Sequence, residues 1–427
     1  MTQFLLFLGI MFVLVFLGIP VAYGIGIGAM VVMLTGSMSN VSLSIVAQRM
    51  YTGVDNFALL AIPLFLIAGS LMERGGMSER IVKLLSVIFG RIRGGINYIT
   101  IAACMFFAGL SGSAIADTVA VGSIMVPMYR KNGYSSEFAG AVLGTAGIIG
   151  PIIPPSIPMV VYALTANVSI GALFLGGYIP GALIGIGLAV VATLVGKKEN
   201  KDVVDSVSLR EAWIIFKDSL LTLGAPLVII VGILSGWFTA TESAAVAAVY
   251  SFIVGKFIYK ELNWKDLPEI FLSSMISSAT VMMVVATSTY SSWVITAERL
   301  PSILTGILTG LTDSKIIMLL IMNMVMLFWG MIMDITPSIM ILTPIFMPIC
   351  KAFGIDLVYM GVLMVVNLCI GYLTPPVGTV LYVTAGMCQV KAMNLFSKML
   401  PMILWLVMVL VIMIVFPQVI MWLPSLM

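Results

Sequence analysis

The feature that most limits the fold of this chain is a run from Phe138 to Gly196 that contains no Asp, Glu, Lys or Arg. A helix that crosses a membrane needs about 20 apolar residues, so this run is long enough for two crossings. Similar runs recur along the 427 residues, of which 61% are hydrophobic and only 9% are charged, whereas a soluble protein carries about 25% charged residues. We predict an all-α polytopic membrane protein without a separate soluble domain.

Clustered prolines interrupt two of the apolar runs, at "GIIGPIIPPS" (147–156) and at "GYLTPPVG" (371–378). Proline lacks the N–H group that would bond the carbonyl four residues earlier, and a free carbonyl inside a membrane is costly. A dehydrated hard cation suits such oxygens. The carbonyls predicted to be free belong to Gly147, Gly150, Pro151, Gly371 and Tyr372.

Two other runs, 94–130 and 315–350, are flanked by basic residues at both ends and carry polar residues in the middle. Their central segments read "GLSGSAIAD" (109–117) and "WGMIMDITPS" (329–338). Two half-length helices that meet at such a turn bring both basic ends to one face of the membrane. This arrangement is a re-entrant hairpin, which is tolerated only where protein or water surrounds the turn.

The distribution of basic residues indicates how the chain is oriented in the membrane. If the first hairpin opens to the cytoplasm, that side receives seventeen of the 21 Lys and Arg residues, among them Lys197, Lys198 and Lys201 of the longest polar stretch. The other side receives Arg49, Arg299, Lys315 and Lys351. This bias follows the positive-inside rule. It predicts hairpins that point toward each other and two periplasmic termini. The N-terminus lacks a basic segment, so we expect a retained helix and not a signal peptide.

Repeated spacings predict two inverted repeats, 1–218 with a broken helix at 138–168 and 219–427 with a broken helix at 357–387. Gly150 and Gly371 each precede a Pro-Pro pair by four residues, and Asp117 and Asp334 each precede a proline by ten. To keep both matches, the second repeat needs a four-residue insertion near 349–353. Inverted repeats with interrupted helices are typical of secondary transporters.

Several polar residues in this pattern have two readings. Asp117 and Asp334 lie inside apolar runs, which favours a functional role, although each is also placed to cap a hairpin helix. Glu242 pairs with Thr239 as a capping box, which we favour over a functional role. Arg299 is suited either to a substrate carboxylate or to anchoring a helix end. The helix start that contains Ser156 offers N–H groups to an anion.

Other functional classes lack support in the sequence. There is no histidine, and the four cysteines are scattered without a CxxC motif, so packing roles are expected for them and a zinc or haem site is not. Neither HExxH nor GxSxG occurs, which argues against an enzyme. No GxxxxGK[ST] motif occurs, which argues against ATP as the energy source. The net charge of +3 reflects basic loops and does not indicate nucleic-acid binding.

The motifs "GLSGSAIADTVAVGSIMVP" (109–127), "GIIGPIIPPS", "GWFTATESAAVA" (236–247), "MDITPSIMILTPIFMP" (333–348) and "GYLTPPVG" resemble the large membrane subunit of tripartite ATP-independent periplasmic (TRAP) transporters. The resemblance covers nearly the whole chain. It departs at Ala240, where the family usually has proline. The resemblance implies a bacterial or archaeal inner-membrane protein that takes up organic acids, such as C4-dicarboxylates or sialic acid, with a sodium gradient and an elevator movement of both hairpins against a scaffold.

The resemblance also implies partners and sites. A small four-helix membrane subunit, expected here as a separate chain, and a periplasmic binding protein complete the system. One sodium site would contain Ser111, Ser113, Gly147 and Gly150, and a second would contain Gly330, Asp334, Thr336, Gly371 and Thr374. Asp117 and Asp334 would be the coupling acids, and Arg299 and Ser156 are the candidate substrate residues. The alternative is a sodium/anion symporter of the same superfamily that works without partners.

Overall fold

The computed structural model describes residues 2–198, 208–310 and 312–426, and within them every regular element is helical. Lys201, which the charge count places in the cytoplasm, lies outside these residues. The helices are α1 Thr2–Phe16, α2 Val21–Thr35, α3 Ser44–Val54, α4 Ala61–Arg74, α5 Met77–Phe89, α6 Gly95–Ser111, α7 Ala114–Lys131, α8 Ser136–Gly147, α9 Ile157–Ala166, α10 Ile170–Val195, α11 Leu209–Leu234, α12 Ala240–Ile253, α13 Leu267–Ala297, α14 Leu300–Thr309, α15 Lys315–Gly330, α16 Ile335–Ala352, α17 Leu357–Gly371, α18 Thr379–Cys388, α19 Ala392–Val415 and α20 Gln418–Met421.

Seven helical segments of the described chain are long and apolar enough to cross a membrane. They are Phe57–Arg74, Ile170–Val195, Leu209–Ile233, Ala240–Ile258, Leu267–Ala297, Ile335–Ala352 and Ala392–Val415. The shorter apolar helices, of 10–17 residues, include the first arm of each hairpin, the second part of the first broken helix and both parts of the second broken helix. The predicted class, an all-α polytopic membrane protein, is confirmed.

Two helical hairpins occupy the predicted places. α6 and α7 meet at Gly112, whose φ of 61° is left-handed, and α15 and α16 meet in the turn after Gly330. The four arms contain 16–18 residues each, which at 1.5 Å per residue corresponds to about 25 Å. The arms are therefore longer than the half-length helices we expected, because their apolar character continues almost to the flanking basic residues.

Both predicted helix breaks are present. The chain leaves helical geometry between Gly147 and Ile157, where α8 ends and α9 begins, and again between Gly371 and Thr379, where α17 ends and α18 begins. The Pro-Pro peptide bond in each break is cis. Every described residue of α17 from Tyr359 to Gly371 is buried, and α8 is buried from Phe138 onward. The first parts of the two broken helices thus form the centre of the protein.

Two pairs of helix starts are separated by 221 residues, which is also the separation between Gly150 and Gly371. α7 and α16 begin at Ala114 and Ile335, and α8 and α17 begin at Ser136 and Leu357. The same separation relates a proline inside α10 to one inside α19, Pro180 and Pro401. The predicted insertion near 349–353 is therefore wrong. The insertion was needed only because Asp117 was matched with Asp334. A separation of 221 residues instead matches Ser113 with Asp334 and Pro127 with Pro348.

The predicted junction between the halves, at residue 218, falls within α11. This helix begins at Leu209, about two and a half turns before residue 218. A capping box between Ser208 and Glu211 starts this helix in polar sequence. The described parts of the two halves are therefore 2–198 and 208–426 with Leu311 left out. Their opposite orientation in a membrane stays a prediction.

A polar node, which the sequence did not predict, ties the amphipathic helix α5 to the second half. The partly buried Arg80 forms ion pairs with Asp218 at 2.9 Å and Glu261 at 2.7 Å, and its guanidinium carbon lies 3.7 Å from the centre of the Tyr259 ring. Burial alone would lower the pKa of Arg80, but the hydrogen bond and charge of Glu261 and the charge of Asp218 raise it above its usual value. This node fixes the helix that leads into the first hairpin.

Candidate functional site

The tip of the first hairpin lies directly against the first helix break. A Cβ atom at position 150 would overlap Asp117 Oδ2 and lie 3.0 Å from the carbonyl oxygen of Ser113. A Cβ atom at position 112 would lie 2.6 Å from the carbonyl oxygen of Pro155. Glycine is therefore required where the two segments approach each other, and this contact brings Ser113, Asp117 and Gly150 together.

Asp117 is the buried acid of this site, with 1% of its surface exposed. The Ser111 hydroxyl donates a short hydrogen bond to Oδ1 of Asp117, while the buried Oδ2 has no hydrogen-bond partner in the described structure. Ser113, and not Asp117, caps α7, because its side chain accepts a hydrogen bond from the Ala116 N–H. The capping explanation for Asp117 is therefore wrong, and the carboxylate retains an oxygen that a cation can occupy.

A small cavity of about 60 Å³ separates this hairpin from α4. Its lining includes Ser70 and Glu73 on α4 and Ser111 and Asp117 on the hairpin. The volume is enough for a few water molecules or one partly hydrated ion. Glu73, which the sequence did not single out, thus faces the same space as the predicted coupling acid.

The first break leaves fewer carbonyls unbonded than predicted. The Gly147 carbonyl accepts a hydrogen bond from the Gly150 N–H at 3.1 Å, and the Pro151 carbonyl accepts one from the Ser156 hydroxyl. In the described structure the Gly150 carbonyl has no recorded donor. Each carbonyl has two lone pairs, so a bonded one can still contact a cation.

Ser156, a candidate substrate residue, is fully buried at the start of α9. Its hydroxyl donates to the Pro151 carbonyl and accepts from the Met159 N–H at 3.2 Å. Both interactions close the break locally. The observed geometry therefore assigns Ser156 a capping role, and a substrate contact through its hydroxyl would require one of these bonds to open.

The second hairpin meets the second break in a similar way. A Cβ atom at position 371 would overlap the carbonyl carbon of Gly330 and lie 2.7 Å from its Cα and oxygen atoms. The Val377 N–H donates to the Met331 carbonyl at 3.1 Å, and the Ile335 N–H donates to the Tyr372 hydroxyl at 2.9 Å. Two of the five predicted members of this site, Gly330 and Gly371, are thus in direct contact.

Asp334 occupies the cap position of α16 but does not cap it, because no N–H group of the helix donates to its side chain. Its Oδ1 instead accepts a hydrogen bond from the Thr379 hydroxyl at 3.0 Å, across to the start of α18. Asp334 is exposed in this structure, and Thr336 beside it is partly buried. The capping explanation is therefore wrong for this acid too, and Thr379 is a site residue that sequence reasoning missed.

The second break also supplies donors for the carbonyls predicted to be free. The Gly371 carbonyl accepts from the Thr374 N–H at 2.9 Å, and the Tyr372 carbonyl accepts from the Leu381 N–H at 3.3 Å. The Thr374 hydroxyl donates to the Ile370 carbonyl at 3.0 Å, which leaves its oxygen free to accept or to contact a cation.

Both clusters offer hydroxyl, carbonyl and carboxylate oxygens. The described residues contain no group of three or more His, Cys, Asp or Glu side chains that would hold a metal ion. All four cysteines are free and buried, which confirms their predicted packing role. Oxygen donors of this kind suit a hard cation better than zinc, copper or iron, which prefer nitrogen and sulfur ligands.

Two further predicted residues lie at helix junctions. Thr239 and Glu242 form the capping box of α12, with both reciprocal hydrogen bonds present, so that prediction is confirmed. Arg299 is exposed between α13 and α14 and has a left-handed φ of 56°. Its neighbour Glu298 accepts bonds from the Ser37 N–H and hydroxyl at 2.9 Å and 2.8 Å. Both readings of Arg299 remain open.

A family model described as "Tripartite ATP-independent periplasmic transporter, DctM component" matches residues 8–419. The chain belongs to this family. The match confirms the resemblance seen in the motifs, and it covers both hairpins and both helix breaks. The homologues of the family are transporter permeases and not enzymes.

Three relatives of the family differ in the solutes named for them. The chain is 37% identical to the 2,3-diketo-L-gulonate TRAP transporter large permease YiaN of Escherichia coli, over 97% of each protein. It is 36% identical to the sialic acid TRAP transporter large permease SiaM of Vibrio cholerae, over 97% of this chain and 96% of that protein. It is also 36% identical to the C4-dicarboxylate TRAP transporter large permease DctM of Vibrio cholerae, over 99% and 97%.

The crystal structure of the YdaH transporter of Alcanivorax borkumensis is similar in fold, with a TM-score of 0.65 at 14% identity. The similarity covers 90% of this chain and 89% of that one. At this identity the comparison concerns the fold alone. It supports an arrangement of helices shared with a membrane transporter.

Proposed function

We propose that this chain is the membrane-embedded subunit for sodium-coupled uptake of an organic acid anion. The observation that carries the proposal is the unpartnered Oδ2 of Asp117, which is buried where a hairpin tip meets a broken helix. A buried carboxylate oxygen without a donor is costly unless a cation or proton compensates it. A sodium ion bound by this oxygen, by neighbouring hydroxyls and by the Gly150 carbonyl would remove that cost.

The first proposed sodium site consists of Ser111, Ser113, Gly147 and Gly150, with Asp117 as its charge. The second consists of Gly330, Asp334, Thr336, Gly371 and Thr374. Support comes from the direct contact of tip and break in each half and from the oxygen-rich side chains around it. The helix starts beyond the breaks present the positive ends of helix dipoles, which suit the carboxylate of a substrate.

An elevator movement is proposed for the transport step. A separate apolar cluster joins α4, α11, α12 and α13, and it includes Phe65, Ile229 and Ala244. The hairpins and broken helices belong to the larger cluster, which also includes residues of α1, α2, α4 and α13. In the proposed elevator, the helices of the smaller cluster belong to the scaffold, and the hairpins and broken helices form the body that moves.

The proposed partners are a small membrane subunit and a periplasmic binding protein that delivers the anion across the inner membrane. The family description of a tripartite system supports both. The proposed substrate is of the sialic acid or C4-dicarboxylate class, since relatives named for both solutes are equally similar to this chain. The alternative, a symporter that needs no binding protein, predicts uptake of free substrate by this chain and its lipid alone.

Uptake into proteoliposomes tests the proposal. With both partners present, we expect uptake that requires an inward sodium gradient, and Asp117→Asn should reduce it by more than about tenfold, because the amide keeps the shape but loses the charge. Asp313→Asn, in a loop before α15, is the control and should retain uptake. Uptake that persists without a sodium gradient would exclude sodium coupling, and uptake without the binding protein would favour the alternative.

A further inference from the structure

A groove of about 400 Å³ lies on the smaller apolar cluster, between α4, α12 and the start of α13. All nine described side chains that line it are apolar, and none of them belongs to a hairpin or to a helix break. Ala245 and Ala248 are small residues of α12, whereas Phe252 and Phe271 are the bulkiest side chains of the lining. The groove results from these small side chains beside aromatic ones.

The groove follows α12 toward one surface of the membrane. From Ala245 to Phe252 the lining advances about 10 Å along the helix axis. Lys256 comes one turn after Phe252, in the helical extension Val254–Ile258. The apolar lining therefore leads to a cation.

The Lys256 ammonium group is held at this end of the groove. It donates to the Leu262 carbonyl at 3.0 Å and lies 4.9 Å from the centre of the Trp264 ring. The Trp264 ring is in turn 6.0 Å from the ring of Phe252, which lines the groove. An ammonium group carries three hydrogens, so two of them remain for another acceptor. The cation is thus fixed beside the groove with unused donors.

The segment around Lys256 keeps an excess of positive charge. Lys260 and Lys265 are exposed, and neither they nor Lys256 has a recorded ion pair among the described residues. The acidic residues of the segment have partners of their own, which are the Arg80 node for Glu261, the Asn263 N–H at 2.8 Å for Asp266 and Arg74 at 2.9 Å for Glu269. An anion that reaches this end of the groove therefore meets unpaired cations.

Tryptophan and lysine residues mark the membrane surface at this level. Lys217 lies 5.2 Å from the centre of the Trp213 ring near the start of α11, and Trp213 is exposed. The Tyr259 hydroxyl donates to the Asp218 carbonyl at 2.6 Å, which places this part of α11 beside the extension of α12. Tryptophan rings are enriched where a membrane protein meets the lipid headgroups, and lysine side chains extend to the same level. The Lys256 end of the groove therefore lies at headgroup depth, and the apolar lining lies deeper.

We propose that the groove binds an acyl chain of an anionic glycerophospholipid, with the lipid phosphate on Lys256. A phosphate group accepts hydrogen bonds and carries negative charge, so it suits the unused hydrogens of the ammonium group. Phosphatidylglycerol is anionic, whereas phosphatidylcholine carries the same phosphate and is neutral overall. The excess of lysines therefore selects phosphatidylglycerol. The charge count places this end of the groove at the cytoplasmic face, and the binding of lipid does not depend on the proposed function.

A helix of a partner protein is the other possible occupant of an apolar groove in a membrane. The backbone carbonyls of such a helix are bonded within the helix, so they offer little to the Lys256 ammonium group. A phospholipid instead matches both ends of the groove, because its chain meets the apolar lining and its headgroup meets the cation. The observations therefore favour the lipid.

Native mass spectrometry of the purified chain tests the proposal. Phosphatidylglycerol and phosphatidylcholine with identical acyl chains are each added to the protein in a neutral detergent, and the surviving lipid adducts are compared. We expect phosphatidylglycerol to be retained about fivefold better or more, because one lysine near an anionic headgroup changes the affinity by about this factor.

Paired variants separate the headgroup from the chain. Lys256→Gln keeps a donor for the Leu262 carbonyl but removes the charge, and it should weaken the binding of phosphatidylglycerol about fivefold. Lys398→Gln is the control, because it removes an exposed lysine of α19 that the charge count places on the same face, and it should change nothing. Ala245→Leu fills part of the groove and should weaken the binding of both lipids.

Equal retention of the two lipids, an unchanged phosphatidylglycerol adduct in Lys256→Gln, or the same loss in Lys398→Gln would overturn the proposal. The adduct should also survive when the proposed small membrane subunit is bound. Its displacement by that subunit would show that a partner helix occupies the groove, which would overturn the proposal as well. Failure of sodium-driven uptake would leave the result standing, because the binding assay involves no transport.

Discussion

Gly371→Ala tests whether the contact between hairpin tip and helix break builds a cation site. The new Cβ atom would lie 2.7 Å from the Cα and oxygen atoms of Gly330, whereas ordinary contacts begin at 3.4 Å. These are backbone atoms of a buried residue, so no side-chain rotation relieves the overlap. The tip and the break must separate by roughly half an ångström or more, and this change opens the second proposed site.

The size of the effect follows from the cost of overpacking. Inserting a methyl group into a close-packed contact costs about 1–3 kcal/mol. If the alanine variant relaxes by opening the site, sodium must close the site again to bind. The free-energy cost of overpacking is then subtracted from the free energy of sodium binding. Since about 1.4 kcal/mol corresponds to a tenfold change in affinity, we expect the sodium affinity of the second site to fall between about fivefold and about a hundredfold.

Thermal stability of the purified protein at increasing sodium concentration is the assay, with potassium as the ionic control. Gly386→Ala is the matched variant, because it lies on the neighbouring helix α18 and its Cβ atom would meet no heavy atom within 4 Å. It should keep the wild-type sodium dependence and gain up to about 1 kcal/mol of helix stability. A folded Gly371→Ala protein with an unchanged sodium midpoint would refute the reasoning.

Three other predictions follow from single contacts. Thr379→Val removes the hydrogen bond that the Thr379 hydroxyl donates to Oδ1 of Asp334 and should lower sodium-dependent uptake about two- to tenfold, whereas Thr296→Val, which removes an exposed hydroxyl bonded within its own helix, should not. Arg80→Met should destabilise the protein by only about 1 kcal/mol, because both acidic partners of Arg80 are about half exposed and solvent weakens the ion pairs. The ion pair of Arg74 with Glu269 is more exposed, and its removal should cost less. Thermal unfolding measures both effects. A polar maleimide should leave the four native cysteines unmodified until denaturant is added, as mass spectrometry would show.

The hairpins and breaks were predictable because their causes are local. Proline removes a backbone donor at a definite position, and basic residues at both ends of an apolar run return the chain to the same face. The capping box of Thr239 and Glu242 is likewise a pattern within four residues. These features need no knowledge of the rest of the chain.

Two contacts of the second break were not predictable, because they join residues farther apart in sequence. The Tyr372 carbonyl accepts a bond from the residue nine positions later, and Thr379 donates to an acid that lies 45 positions away. Helix α5 and the Arg80 node escaped notice because α5 is too polar and too short to appear among apolar runs. Tertiary contacts decide these features, and composition does not report them.

The separation of 221 residues between the starts of α7 and α16 shows that the two acids do not occupy matching positions. It pairs Ser113 with Asp334, and it pairs Asp117 with Ser338, whose hydroxyl donates to the Asp334 carbonyl. The negative charge is therefore carried on the first turn of α7 in one half and on the residue before α16 in the other. The first charge is buried and the second is exposed, so a cation at the first proposed site would be shielded from solvent while one at the second would not. The two sites are thus related in backbone but not in chemistry, and the second should exchange its cation with solvent faster than the first.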